Sequence, residues 1–516
     1  MKLHQGGVIV LDFGSQYTQL IARRIREQHV HSEILPHNVD LDDIQSRNPK
    51  ALILSGGPSS VYHGSAPVCD PRIFELDIPI LGICYGLQLL ADYFGGEVTT
   101  KEGGEYGLST VLVQDHDLFF HDVPANISVW MSHRDQVTKL PGGWTVLARS
   151  ANNIIAAIAE PRSRRYATQF HPEVSHTEAG VTMLRNFLFH IAGCEPSWTA
   201  GHFITDKVRT LKQRLGNQSV LCGVSGGVDS TVVAALLHRA VGEQVIAVFI
   251  DHGLLRSGEA RQVVATLEAA LKFPVKMVDH SELFLEKLKG ITDPEEKRKR
   301  IGEQFIRSFE LVAETLGGIQ YLAQGTLYPD VIESGTAHKG GPAAVIKSHH
   351  NVGGLPTDMA FTLVEPLKEL FKDEVRQVGR ELGLPEALLQ RHPFPGPGLA
   401  VRILGEVTEE RLTILRRADE LFIDTLHQED LYDDIWQAFA VLVPLKTVGV
   451  MGDQRTYGYL LALRAVTSRD GMTADWYRMP PEVLSRISNR IVNNVQGINR
   501  VVYDVTSKPP GTIEWE

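Results

Sequence analysis

A cysteine between two glycines, Gly82-Ile83-Cys84-Tyr85-Gly86, and a later His171-Pro172-Glu173 together carry the three groups of a nucleophilic triad. The apolar run Pro79-Ile80-Leu81 reads as a strand. Leu87 to Phe94 reads as a helix, ended by Gly95-Gly96. A strand-to-helix elbow of this kind exposes its central side chain above the sheet. It also sets the sulfur at a helix N-terminus, where free amides and the helix dipole favour a thiolate. Proline holds His-Pro-Glu extended, so residues two apart project to the same side. His171 can then act as base toward Cys84 while Glu173 orients the imidazole. A third element supports this over a small buried cysteine and an ordinary surface turn. Leu52-Ile53-Leu54 is a strand that ends in Ser55-Gly56-Gly57-Pro58. The amides of Gly57 and Tyr85 could together form an oxyanion hole for a tetrahedral adduct.

A second constellation handles anions. Val220 to Val224 reads as a strand, Ser225-Gly226-Gly227-Val228-Asp229-Ser230 as a loop, and Thr231 to Val241 as a buried helix. Val245 to Ile250 is the next strand, so the segment is a βαβ unit with Asp251 at a carboxyl strand end, where such sheets bind ligands. Glycines let backbone amides approach a phosphate, Ser225 and Ser230 add hydroxyls, and the helix dipole points at the anion. Asp229 places a carboxylate where magnesium pyrophosphate would sit. The Walker Gly-Lys-Ser/Thr ending is absent, which argues against γ-phosphoryl transfer.

The rest of the chain bounds these readings. With 516 residues, 43% of them hydrophobic, it can hold three ordinary cores. A net charge of -11 argues against general affinity for nucleic acid or for an anionic membrane. Cys69, Cys84, Cys194 and Cys222 show neither disulfide nor zinc spacing, as expected of a reducing, cytoplasmic setting. No stretch has the length and apolarity of a transmembrane helix. Proline and glycine at 194–201, after a helix expected over about Val181 to Ile191, mark one boundary; three prolines and two glycines in His392 to Gly398 mark another. Beyond it, Arg402-Ile403-Leu404 and Thr447 to Val450 are strand candidates, with a helix from about Glu409 to His427 between them. The stretch Val501 to Glu516 carries an apolar strand and two prolines, as a docked segment would. His349-His350 lacks a third ligand at metal spacing.

Residues 7–197, on the elbow, the glycine turn and His-Pro-Glu, resemble a class I glutamine amidotransferase domain. In Met131-Ser132-His133-Arg134-Asp135 that family usually has Gly where this chain has Arg134. The second constellation resembles the PP-loop of ATP pyrophosphatases, which cleave ATP between the α and β phosphates. With Glu295 to Gly302, Ala323 to Asp330 and the segments from Arg391 on, including Gly452 to Thr456, the chain resembles the GMP synthetases in the order of their parts. The resemblance implies an α/β chain of two doubly wound, mostly parallel-sheet domains (7–197 and 198–391) followed by a small α+β dimerisation domain (392–516). It further implies ATP-driven amination of xanthosine monophosphate (XMP) with nitrogen from glutamine, magnesium as cofactor, and a homodimer. By the same resemblance Arg298, Lys508 and Glu514 contact XMP. Lys347 is either a phosphate-binding lid residue or a solvated lysine.

Overall fold

The computed structural model describes residues 6–116, 118–337, 358–389, 396–451, 454–468 and 473–516. Lys347, His349 and His350 lie outside these residues, as does 392–395. The chain divides into two compact units, 1–206 and 207–516.

The first unit is built on nine strands: β1 Val8–Asp12, β2 Ser32–Pro36, β3 Ala51–Leu54, β4 Ile80–Ile83, β5 Glu97–Val113, β6 Asn126–Lys139, β7 Thr145–Ser150, β8 Ile155–Glu160 and β9 Arg165–Thr168. Their order is β2-β1-β3-β4-β9-β8-β7-β5-β6. The first five run parallel. The others extend the sheet antiparallel. β3 and β4 are buried along their whole length, which accounts for their unbroken apolar sequences. Helix Tyr85–Tyr93 follows β4 directly and buries Leu87, Leu89 and Leu90. Gly95, at φ +84°, terminates it in the left-handed conformation.

In the second unit β10 Val220–Gly223, β11 Val245–Asp251, β12 Val275–Asp279, β13 Tyr321–Ala323 and β14 Thr362–Val364 form a sheet of order β12-β11-β10-β13-β14. Every pairing is parallel. The order reverses between β10 and β13, the point at which doubly wound sheets open a crevice. A separate mixed sheet follows, with β15 Gln437–Met451 and β17 Asp475–Trp476 antiparallel to β16 Gln454–Thr467, and β18 Ile498–Tyr503 parallel to it. One apolar core joins the two sheets, running from Leu221, Val248 and Leu254 through Leu399, Leu415 and Phe422 to Leu442, Leu461 and Ile487.

Two local expectations are corrected. Arg402-Ile403-Leu404 is not a strand, since Gly398–Arg402 is a 3-10 turn and Ile403 makes only an isolated bridge to Leu442. The cause is Gly398. At φ +60° its bare backbone packs on the Leu254 carbonyl, which a Cβ would approach to 2.4 Å, and Leu399 N–H donates to that same carbonyl at 2.7 Å. The PP-loop helix begins at Val228 rather than Thr231, because Thr231 donates to the Gly227 carbonyl through both N–H and Oγ1. Asp229 and Ser230 therefore occupy its first turn.

Candidate functional site

Cys84 stands between β4 and its helix at φ +53°, ψ −101°, a conformation costly for any residue with a Cβ. The close-packed surroundings hold it there. A Cβ on Gly82 would meet the Gly86 carbonyl carbon at 2.6 Å, and one on Gly86 would meet the Leu54 oxygen at 2.5 Å. Only two glycines allow strand and helix to close on so sharp a corner. The sulfur lies 3.7 Å from the Ser132 carbonyl on β6 and 3.7 Å from Gln169 Nε2.

His171 and Glu173 follow β9, the neighbour of β4, and both are buried. His171 Nδ1 donates to Glu173 Oε1 at 2.7 Å. Burial alone would push the imidazole pKa down, but the Glu173 carboxylate and a hydrogen bond with Cys84 outweigh it and lift the value to about 10. Arg24 Nε donates to the Glu173 carbonyl at 2.9 Å, and the Tyr17 ring packs edge-on to His171 with centroids 5.0 Å apart. The glycine turn after β3 completes the enclosure. A Cβ on Gly56 would stand 3.2 Å from His171 Cε1, and one on Gly57 3.4 Å from the Tyr85 ring. The Tyr85 amide, at the first helical position, has no carbonyl one turn back to receive it.

β6 supplies the remaining wall. His133 is buried and pushed to lower pKa chiefly by desolvation; its Nδ1 is 2.9 Å from the Asp135 carbonyl, and its Nε2 faces Glu105 Oε2 at 3.6 Å. Asp135 accepts from Thr100 at 2.6 Å, from Tyr62 at 2.9 Å and from Ser60. Arg134 points outward from the same strand and is exposed.

In the second unit the Ser225–Ser230 turn closes on itself. Ser225 N–H donates to Ser230 Oγ at 3.2 Å, and Gly226 takes φ +79°. Across the reversal point, the Gly325 backbone after β13 lies against it, since a Cβ there would be 3.1 Å from Asp229 Cβ. Asp229 Oδ1 and Gln324 Oε1 are buried acceptors without a partner among the described residues, while Asp229 Oδ2 pairs with Lys372. A buried, unfilled carboxylate oxygen beside a phosphate-type turn suits a hard cation such as magnesium. Among the described residues no three His, Cys, Asp or Glu side chains cluster for a metal.

The segment from Asp504 on is docked. Arg464, fully buried, donates to the carbonyls of Thr506 at 2.6 Å and Thr512 at 2.9 Å and pairs with Asp504. Glu514 accepts from Arg402 and Gln437, and Glu516 from the buried Lys297. Arg298, read from sequence as a nucleotide contact, reaches Glu295 and the Glu516 carbonyl. Lys508 bridges backbone to backbone with Ala474. Lys297, Lys372, Arg402 and Arg464 were not singled out from sequence, where each is one cation among 51.

Family comparison agrees with this geometry. The model described as glutamine amidotransferase class-I matches residues 9–191, that of NAD synthase 200–300, and that of the GMP synthase C-terminal domain 424–515. A glutamine-hydrolysing GMP synthase of Carboxydothermus hydrogenoformans is 57% identical over 509 residues, covering 99% of this chain and 99% of that protein. This chain belongs to the glutamine-hydrolysing GMP synthase family. Another GMP synthase of that description, from Thermosynechococcus vestitus, is 55% identical over 514 residues, covering 99% of this chain and 96% of the relative. The NAD synthase match takes in the Ser225–Ser230 turn but stops at residue 300, whereas these two GMP synthases match over 99% of this chain. Among the described residues no helix is long and apolar enough to cross a membrane.

Proposed function

We propose that two separate sites divide one amination between them. As a member of its family the chain is a ligase that converts XMP to GMP, driven by ATP and supplied with nitrogen by glutamine. The full-length match to GMP synthases is the observation that carries this reading.

In the first unit the Cys84 thiolate, its proton already held on His171, attacks the glutamine carboxamide carbon. Amides of Gly57 and Tyr85 receive the oxyanion. The adduct collapses as its C–N bond breaks, and His171 passes its proton to the leaving ammonia. Water, losing a proton to His171, then hydrolyses the thioester to glutamate. The charge that Glu173 stabilises on His171 is the one this proton shuttle needs.

In the second unit ATP lies with its phosphates on Ser225, Gly226, Gly227, Val228 and Ser230. The C2 oxygen of XMP attacks the α-phosphorus, and the bond to pyrophosphate breaks. Ammonia then adds at C2 and AMP leaves, a far better leaving group than an unactivated purine oxygen. Asp229 would hold magnesium, which when bound would neutralise charge on the departing pyrophosphate. Lys508 and Glu514, with Arg298, serve XMP through phosphate pairing and acceptance from purine N–H groups; Lys347 is assigned to the phosphates. The organisation is an amidotransferase part (7–197), an ATP pyrophosphatase part (198–391) and a terminal part (392–516). Exposed Leu445, Val448, Val450 and Tyr457 on the β15–β16 hairpin suit burial against a second copy, making a homodimer. Four free cysteines fit a cytoplasmic setting.

Incubation with glutamine, ATP and XMP tests the reading: AMP and GMP should form in equal amounts. ATP cleavage that ignores XMP would overturn it.

A further inference from the structure

The elbow sulfur has a second neighbour besides the imidazole. Gln169 lies two residues before His171, fully buried, its backbone N–H fixed to the Ala156 carbonyl at 2.8 Å. Its side-chain Nε2 faces Cys84 Sγ at 3.7 Å. The other end of that amide meets the Nε2 of the buried Gln88, at 3.4 Å from Gln169 Oε1. Gln88 Nε2 is itself directed to the Asp135 carbonyl at 3.0 Å. This chain fixes which way round the amide sits. Were it reversed, its N–H groups would face those of Gln88, and its oxygen would face the sulfur.

We infer that Gln169 is a dedicated donor to the Cys84 thiolate, aligned by Gln88. The inference rests on Cys84 being the nucleophile. A neutral N–H donor favours the anionic sulfur over the thiol without adding a group that titrates. The Ser132 carbonyl, at 3.7 Å on another side, can only accept and so favours the thiol. Gln169 offsets it. Titratable groups on the elements around the sulfur are His171 and Glu173 after β9, Tyr85 on the helix, and His133 and Asp135 on β6 with Glu105 behind. None of them lies between Gln169 and Gln88 in the amide chain.

The test is the pH dependence of Cys84 alkylation by iodoacetamide in the full chain, with glutamine- and ammonium-dependent GMP synthesis measured alongside. Gln169→Met keeps the volume and removes the donor; Gln169→Glu puts a carboxylate against the sulfur. Both should move the alkylation midpoint up, by about one pH unit for Met, since a hydrogen bond to a charged group is worth roughly that, and further for Glu. Glutamine-dependent synthesis at neutral pH should fall about tenfold and partly recover at higher pH, with ammonium-dependent synthesis unchanged. A wild-type midpoint in both variants overturns the inference, as does a loss equal at every pH or shared by the ammonium reaction. Alkylation that leaves wild-type glutamine-dependent synthesis intact would instead overturn the assignment of Cys84.

Discussion

Arg402 and Glu514, 112 residues apart, meet in a two-point ion pair, with Nε to Oε2 at 3.1 Å and Nη2 to Oε1 at 2.9 Å. The guanidinium is buried and also lies over the Phe439 ring, 4.2 Å from its centroid. Glu514 is thereby held in one place.

Glu514→Ala leaves the Arg402 charge buried without its partner, a loss on the order of 3 kcal/mol. Urea denaturation should show it as a lower midpoint. Lys508→Met tests the assigned XMP contact itself. It should raise the KM for XMP and leave that for glutamine unchanged. Equal effects on both substrates would remove Lys508 from the nucleotide site.

The His171–Glu173 pair makes stability depend on pH. His171 titrates at about 10 in the folded chain against an ordinary value of 6.5. Its contribution is therefore complete below pH 6.5 and is lost as pH rises through about 10. Glu173→Gln takes away the carboxylate that raises the imidazole, so the fall in unfolding temperature between pH 7 and 9.5 should be smaller than in the wild type. A fall of the same size would show that Glu173 does not hold the charge. Glutamine-dependent activity should drop in the same variant.

Cys84→Ala should lose glutamine-dependent GMP synthesis by several orders of magnitude, on the scale seen when a nucleophile is removed. Synthesis from ammonium salts should persist and rise with pH as free ammonia becomes available. A folded variant that fails equally with both nitrogen sources would contradict two-site chemistry.

Asp229→Asn should abolish AMP and pyrophosphate formation while the chain stays folded by circular dichroism. The substitution also removes the Lys372 ion pair, but Lys372 is half-exposed and that pair adds little to stability. Normal pyrophosphate release would refute the assignment.

The elbow and the Ser225–Ser230 turn were legible because each is local: glycines stand between a strand and the helix that follows it, and the close packing at Gly82 and Gly86 and the positive φ of Gly226 leave no room for other residues. His171 was legible through proline, which fixes how its segment runs. Lys297 was not, since its partners, the carbonyls of Ala400 and Ile403 and the side chain of Glu516, lie more than a hundred residues away. Gln169 carries no spacing signal at all; its meaning comes only from the direction its amide faces. Arg402 was misread with its neighbours as a strand, because β-branched and apolar residues there suit a strand and the deciding contact, Gly398 on Leu254, is tertiary.

The core shared by the five-stranded and the mixed sheets has a consequence for ligand linkage. Whatever binds the phosphate turn stabilises the folded form of that core and, with it, strands that never approach the ligand. Occupancy of the ATP site should therefore slow amide hydrogen exchange in β15, β16 and β18 as much as in β10. A nucleotide held by the terminal segment should in turn protect the phosphate turn, so each substrate prepares the ground for the other without touching it.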